Sequence, residues 1–154
     1  MPIFAKNYNP LNKMNDSIIM NKAADNIRIL AASMVEKAKS GPPGGAMGGA
    51  DFANVLFSEF LVFNPACPEW EGRDRFFLDP GHMSPMLYSV LALSGKYSLD
   101  ELKQFRQWGS PTPGHPEVDV KRGVENTSGP LGQGHTYAVG AAIAAKFLKA
   151  RFGD

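Results

Sequence analysis

The sequence predicts an α/β protein that is mostly helical, with few strands. Three observations carry this reading. Apolar residues recur at helical spacing from Met20 to Ala38, and an Ala-rich segment follows Gly140 near the C-terminal end. Only one short apolar run, Phe76-Phe77-Leu78, has the setting of a buried strand, between charged residues and Pro80.

Taken in order, Met1 to Asn15 is expected to be an extended or frayed arm, and residues 16–154 an incomplete domain. A first helix is expected from Asp16 or Ser17 to Lys39. Met20, Ala24, Ile27, Ala31, Met34 and Ala38 form its apolar stripe, with Leu30 beside them. Lys37 and Lys39 suit the negative end of its dipole, and Gly41-Pro42-Pro43 stops it. Asp51 is expected to cap a second helix through Phe63, with Phe52, Val55, Leu56, Phe60 and Phe63 on its apolar side and Asn64-Pro65 ending it.

Residues 73–79 form the strand candidate. A lone strand is not a stable sheet. Either the segment is not a strand, or its sheet lies in residues this chain does not contain; the second reading is favoured. Residues 84–94 are expected to be helical. Ser98 and Glu101 have capping-box spacing and open a helix toward Trp108. Residues 109–123 read as loop, and a last helix runs from Gly132 or His135 to Phe152, with Gly153 as its C-cap. Trp70 and Trp108 are expected in a core or interface, and Cys67 as a packed or inert thiol.

Composition sets bounds on function. A chain of 154 residues can bury a real core, and a formal net charge of +1 gives no general affinity for nucleic acid or anionic membrane. The single cysteine excludes an internal disulfide framework. Lys6, Asn7, Asn9, Asn12, Lys13 and Asp16 interrupt any signal-peptide core, and no apolar run approaches spanning length, so the expected location is the cytoplasm.

The chemistry-bearing residues lie in glycine- and proline-rich clusters. Gly129-Pro130-Leu131-Gly132-Gln133-Gly134 is a poor helix and a poor strand but a good backbone-lined loop. It precedes a helix, whose N-terminus favours anions. The three histidines, His82, His115 and His135, all lie in or beside such clusters, where a ring able to exchange protons near neutrality is held by a restricted backbone. His82 follows the strand candidate, and His115 stands between Pro113 and Pro116. His115, Glu117 and Asp119 alternate, but no further His or Cys set completes a coordination sphere, so no metal ligand is assigned. There is no Walker loop and no Gly-x-Ser-x-Gly elbow.

In their order and spacing, these stretches resemble the N-terminal part of transketolases. The resemblance is carried by Lys37-Ala38-Lys39-Ser40-Gly41 through Met47-Gly48, Arg73-Asp74-Arg75-Phe76, Gly81-His82, Phe105-Arg106-Gln107, Thr112-Pro113-Gly114-His115-Pro116-Glu117 and Gly129 to Gly134. It extends from about Asn21 to the end of the chain. It implies a thiamine-diphosphate-binding fold and transfer of a two-carbon ketol unit from a ketose phosphate donor to an aldose phosphate acceptor, in the pentose phosphate pathway. The cofactor would carry the carbanion chemistry and the protein would orient and move protons. By resemblance, His82 lies near the diphosphate, and Gly129, Pro130 and Leu131 lie against the cofactor rings. His115 is the catalytic and substrate-binding candidate, beside the donor sugar.

Two departures from the family pattern matter. Ser40-Gly41-Pro42-Pro43-Gly44 carries Pro42 where the family has a histidine that assists proton transfer, and proline has no ionisable side chain. The Gly-Asp-Gly motif and the asparagine that bind the family's divalent ion, Mg²⁺ or Ca²⁺, do not occur, and neither does the cofactor-activating glutamate. The resemblance therefore implies one wall of a site that forms between two subunits of a homodimer, and a fragment inactive on its own. A non-catalytic assembly module, or one piece of a split thiamine-diphosphate enzyme, are the alternatives.

Overall fold

Spacings of three and four between Ala24, Ile27, Ala31 and Met34 put these four residues on one buried stripe of the first helix, α1 (Ser17–Ala38). The Asp16 carboxylate caps it, accepting from the Ile18 amide at 2.7 Å. Lys39 closes it in the left-handed conformation, φ 51°. The computed structural model describes residues 16–153; the extended arm expected for residues 1–15 lies outside them.

The glycine-rich stretch after α1 forms two short helices, α2 (Gly44–Gly48) and α3 (Ala50–Val55), the latter running on as a π turn over Leu56–Phe60. This corrects the expected second helix in two ways. Asp51 is not its cap: it lies in the first turn of α3 and pairs with Arg28 of α1. Phe52 and Phe60 face outward, whereas Ala50, Ala53 and Asn54 are buried. Small residues let α3 approach α1 closely, and the Asn54 side-chain amide donates to the Met20 carbonyl at 2.9 Å.

The strand candidate is extended but pairs in no ladder among the described residues. A side chain from a distant loop bonds its backbone. The Leu78 amide donates to Asn126 Oδ1 at 3.0 Å, and Asn126 Nδ2 donates to the Leu78 carbonyl at 3.3 Å. One turn earlier, Arg73 grips Glu125 with two bonds of 2.7 and 3.0 Å, both side chains only 9% exposed. This bonding raises the Arg73 pKa above its ordinary value. Residues 73–78 are thus fastened to 125–126 without a sheet.

Helix α4 (Ser84–Leu93) is the central element, buried continuously from Ser84 to Leu91. Its Met86, Leu87, Val90 and Leu91 join Ile27, Ala31 and Met34 of α1 in the core. The capping box of α5 (Leu99–Leu102) is present: the Glu101 amide donates to Ser98 Oγ at 3.2 Å, and the Ser98 amide to Glu101 Oε2 at 2.8 Å. The helix stops well before Trp108, because the chain coils through turns and Arg106 goes left-handed, φ 62°. Trp108 is fully exposed and Trp70 borders the surface, so neither belongs to the core of this chain. Cys67 is also exposed rather than packed. Helix α6 (Gln133–Phe152) buries only Gly134.

Replacing Asn126 with leucine keeps the branched shape but strands the buried Leu78 amide and carbonyl. It is expected to lower unfolding free energy by about 1–3 kcal/mol in urea titration; a change within error would mean that the side-chain clamp contributes nothing.

Candidate cofactor site

The segment Leu78-Asp79-Pro80-Gly81-His82 leaves the Asn126 clamp and enters α4 through a 3₁₀ turn, Gly81–Met83. It is the meeting point of the three histidine-bearing loops. At Gly81 a Cβ would stand 2.8 Å from Ser128 Oγ and 3.0 Å from Cδ2 of His115, so the backbone approach there requires glycine. His82, His115 and the start of the Gly129 loop are thereby drawn around one residue. His82 is half-buried and His115 is exposed.

The His115 loop is held from below by hydroxyl groups. Thr112, fully buried, donates from Oγ1 to the Glu101 carbonyl at 2.9 Å, and its own carbonyl accepts from the Arg106 amide at 3.0 Å. Tyr88 and Ser84 rise from α4 to donate to the Pro113 carbonyl at 2.9 Å and the Gly114 carbonyl at 2.7 Å. Burial pushes the Tyr88 phenol well above its ordinary pKa, so it remains a neutral donor. After His115, the Pro116 carbonyl accepts from the Ser128 amide at 3.0 Å. His115 opens onto a cleft of ≈ 950 Å³, shared with Ser40, Arg106, Tyr88 and Glu117. Pro42 is exposed just before α2 and follows Gly41, which packs on Arg106.

The Gly129–Leu131 loop is fixed from the other side. The Asp79 carboxylate, 6% exposed, accepts from the Gly132 amide at 2.9 Å through Oδ2, which also lies 2.8 Å from Nδ1 of His135. At Gly134 a Cβ would stand 2.7 Å from the Leu78 carbonyl oxygen, so the first turn of α6 sits directly on the segment. The anion-favouring helix N-terminus expected from the sequence is therefore already served by Asp79. His135 belongs to this latch.

The loop itself faces outward. Leu131 is 73% exposed, and a Cβ at Gly129 would meet nothing within 4 Å. Ser128 Oγ is buried with no partner among the described residues. Bare backbone, an exposed apolar side chain, a spare hydroxyl and a half-buried imidazole fit a flat heteroaromatic cofactor that needs both apolar cover and a few polar contacts. Among the described residues, no three His, Cys, Asp or Glu side chains gather as a cation site requires.

Sequence reasoning did not single out Asp79, Ser84, Tyr88 or Asn126. Their signal is weak: three are common polar residues beside a proline, a helix start or a loop, Tyr88 reads as a core aromatic of α4, and only tertiary pairing reveals their roles.

Fold and site thus define a set of stiff loops gathered around Gly81 on a helical base. The sequence model described as "Transketolase, thiamine diphosphate binding domain" matches residues 19–154, and the chain belongs to that family. It is 55% identical to the transketolase of Geobacillus stearothermophilus over 131 residues, 84% of this chain and 20% of the relative. The transketolase structure from Campylobacter jejuni superposes with a TM-score of 0.84 at 49% identity, over 92% of this chain and 22% of that one. A Pichia stipitis transketolase in complex with sedoheptulose-7-phosphate gives 0.76 at 44% identity, over 83% of this chain and 19% of that one. The chain spans about a fifth of the length of the relatives it matches. No helix among the described residues is long and apolar enough to cross a membrane.

Replacing Asp79 with alanine removes the acceptor for Gly132. Loss of a charged hydrogen bond, about 1.5–3 kcal/mol, should speed amide exchange at Gly132 by roughly ten- to a hundredfold while the Leu78 amide stays protected. Unaltered exchange at Gly132 would remove Asp79 from the latch.

Proposed function

We propose that this chain supplies one wall of a thiamine-diphosphate site in a transketolase, an enzyme that passes a two-carbon ketol unit from a ketose phosphate to an aldose phosphate. The observation that supports the reading is the convergence at Gly81, one residue before His82, where a Cβ would meet both Ser128, at the start of the Gly129 loop, and the ring of His115. When bound, thiamine diphosphate supplies the nucleophilic carbon that takes up and releases the two-carbon unit.

The chain's own residues would orient and exclude. Gly129 and Pro130 offer main chain without bulk, and Leu131 lays an apolar surface against the rings. His82, anchored by the turn into α4, offers a polar contact to the diphosphate. His115, with its loop carbonyls held by Tyr88 and Ser84, is aimed at the oxygen atoms of the donor sugar, where it can hold or move a proton. The divalent cation, Mg²⁺ or Ca²⁺, would be held by residues other than these, and the second wall would come from a homodimer partner. Residues 16–154 are then one part of the cofactor domain of a cytoplasmic enzyme.

Pro42 bears on turnover. It stands where the family pattern carries a histidine, and it cannot exchange a proton. General acid–base groups contribute about 10²- to 10⁴-fold, so ketol transfer should be slow unless another group substitutes.

Two experiments test the reading. Titrated alone by calorimetry, the 154-residue chain should bind thiamine diphosphate and Mg²⁺ weakly or not at all; a tight, metal-dependent complex would contradict the single-wall reading. Joined in frame to the remaining part of the Geobacillus stearothermophilus transketolase, the chain should give ketol transfer. There Pro42→His should raise kcat, by up to about 10²-fold, and His82→Ala should weaken thiamine diphosphate binding. A rate indifferent to Pro42→His would refute the role given to that position.

A further inference from the structure

Arg106 is the least comfortable residue near the cleft. Its backbone is left-handed, φ 62°, a region in which a long side chain is uncommon. Such outliers persist where the surroundings enforce them, and they gather at functional sites. Its neighbours show what does the enforcing. The Arg106 amide is tied to the Thr112 carbonyl at 3.0 Å, and its guanidinium lies against Phe105, 5.6 Å from the ring centre.

The guanidinium fills a slot between two glycines. At Gly114 a Cβ would stand 2.8 Å from its Nε and 3.0 Å from its Cζ; at Gly41 the nearest approach would be 3.3 Å, again to Nε. Nη1 donates to Ser40 Oγ at 3.0 Å. Nε is buried with no partner, and among the described residues no carboxylate pairs with this cation. An apolar side chain could fill the slot without burying an unpaired N–H. What the guanidinium offers instead is a rigid flat plate with a polar edge. That plate packs on the Gly114 backbone, next to His115, and on Gly41, next to Pro42.

We propose that Arg106 is a positioning residue, a wedge that fixes His115 relative to the Ser40–Pro42 turn so that both address one donor sugar. This rests on the ketol-transfer reading above. It acts through its neighbours and touches no part of the Gly129–Leu131 loop that the structure records. Its removal therefore affects handling of the ketose and not the hold on the cofactor.

Arg106→Asn is the informative variant, because asparagine tolerates the left-handed backbone while lacking the plate. In the 154-residue chain, this substitution is expected to shift or broaden the His115 ring signals in proton–nitrogen NMR spectra, with the His135 signals, held by Asp79, in place. In the Geobacillus chimera it should lower kcat/KM for the ketose donor by about tenfold or more, since small misplacements of a reacting group cost rates of that order. The thiamine diphosphate affinity should change less than about twofold, a split that general unfolding would not produce. Arg106→Lys, which keeps the charge and loses the plate, should share the defect. Unchanged His115 signals, an equal loss of cofactor affinity, or full rescue by lysine would each overturn the wedge. A chimera without ketol transfer before any substitution counts against the ketol-transfer reading instead, and the His115 spectrum then decides this one.

Discussion

The paired hydrogen bonds between Asn126 and the Leu78 peptide are the constraint on which the rest of the site depends. An extended backbone has donors and acceptors that must be satisfied once buried. Here one carboxamide presents both an acceptor and a donor to a single residue, doing locally what a neighbouring strand does along a ladder. The Arg73–Glu125 pair fixes the same two segments a short distance away. With Leu78 fixed, the following residues have little freedom, and three of them, Asp79, Gly81 and His82, are used.

Asp79 turns its carboxylate to the first turn of α6, Gly81 admits Ser128 and His115, and His82 leads into α4. These are different physical devices: a charge-assisted hydrogen bond, a missing Cβ and a helix start. They act within four consecutive residues, Asp79 to His82. Packing of this kind orders a site before a ligand arrives, which lowers the entropy lost on binding. The helical base beneath, α1 against α4, carries the burial that keeps the loops in place.

Much of this was legible in the sequence, but unevenly. The helices α1 and α6 announced themselves by spacing, by Asp16 and Gly153 at their ends and by Gly41-Pro42-Pro43. The capping box at Ser98 and Glu101 was local and therefore readable. The second helix was misread because large apolar residues, Phe52 and Phe60, suggested an inward side, whereas close approach to α1 favoured Ala50 and Ala53. The strand candidate was correctly extended, but hydropathy carries no sign of the side-chain bonds that hold it to Asn126. The histidine loops stood out through their glycines and prolines. Their convergence did not, since Gly81 and Ser128 are far apart in sequence and nothing local links them. Asp79 serving the helix N-terminus was hidden for the same reason, and so was the wedge at Arg106.

On the proposed reading, the bends carrying His82 and Gly129–Leu131 form a single cofactor-facing wall. A crystal structure of the Geobacillus chimera grown with thiamine diphosphate and a divalent cation tests it most directly. The imidazole of His82 and the Leu131 side chain are both expected in contact with the bound cofactor, with the Asn126–Leu78 bonds intact behind them. Cofactor bound elsewhere, with His82 and Leu131 on surfaces that share no cavity, would contradict it.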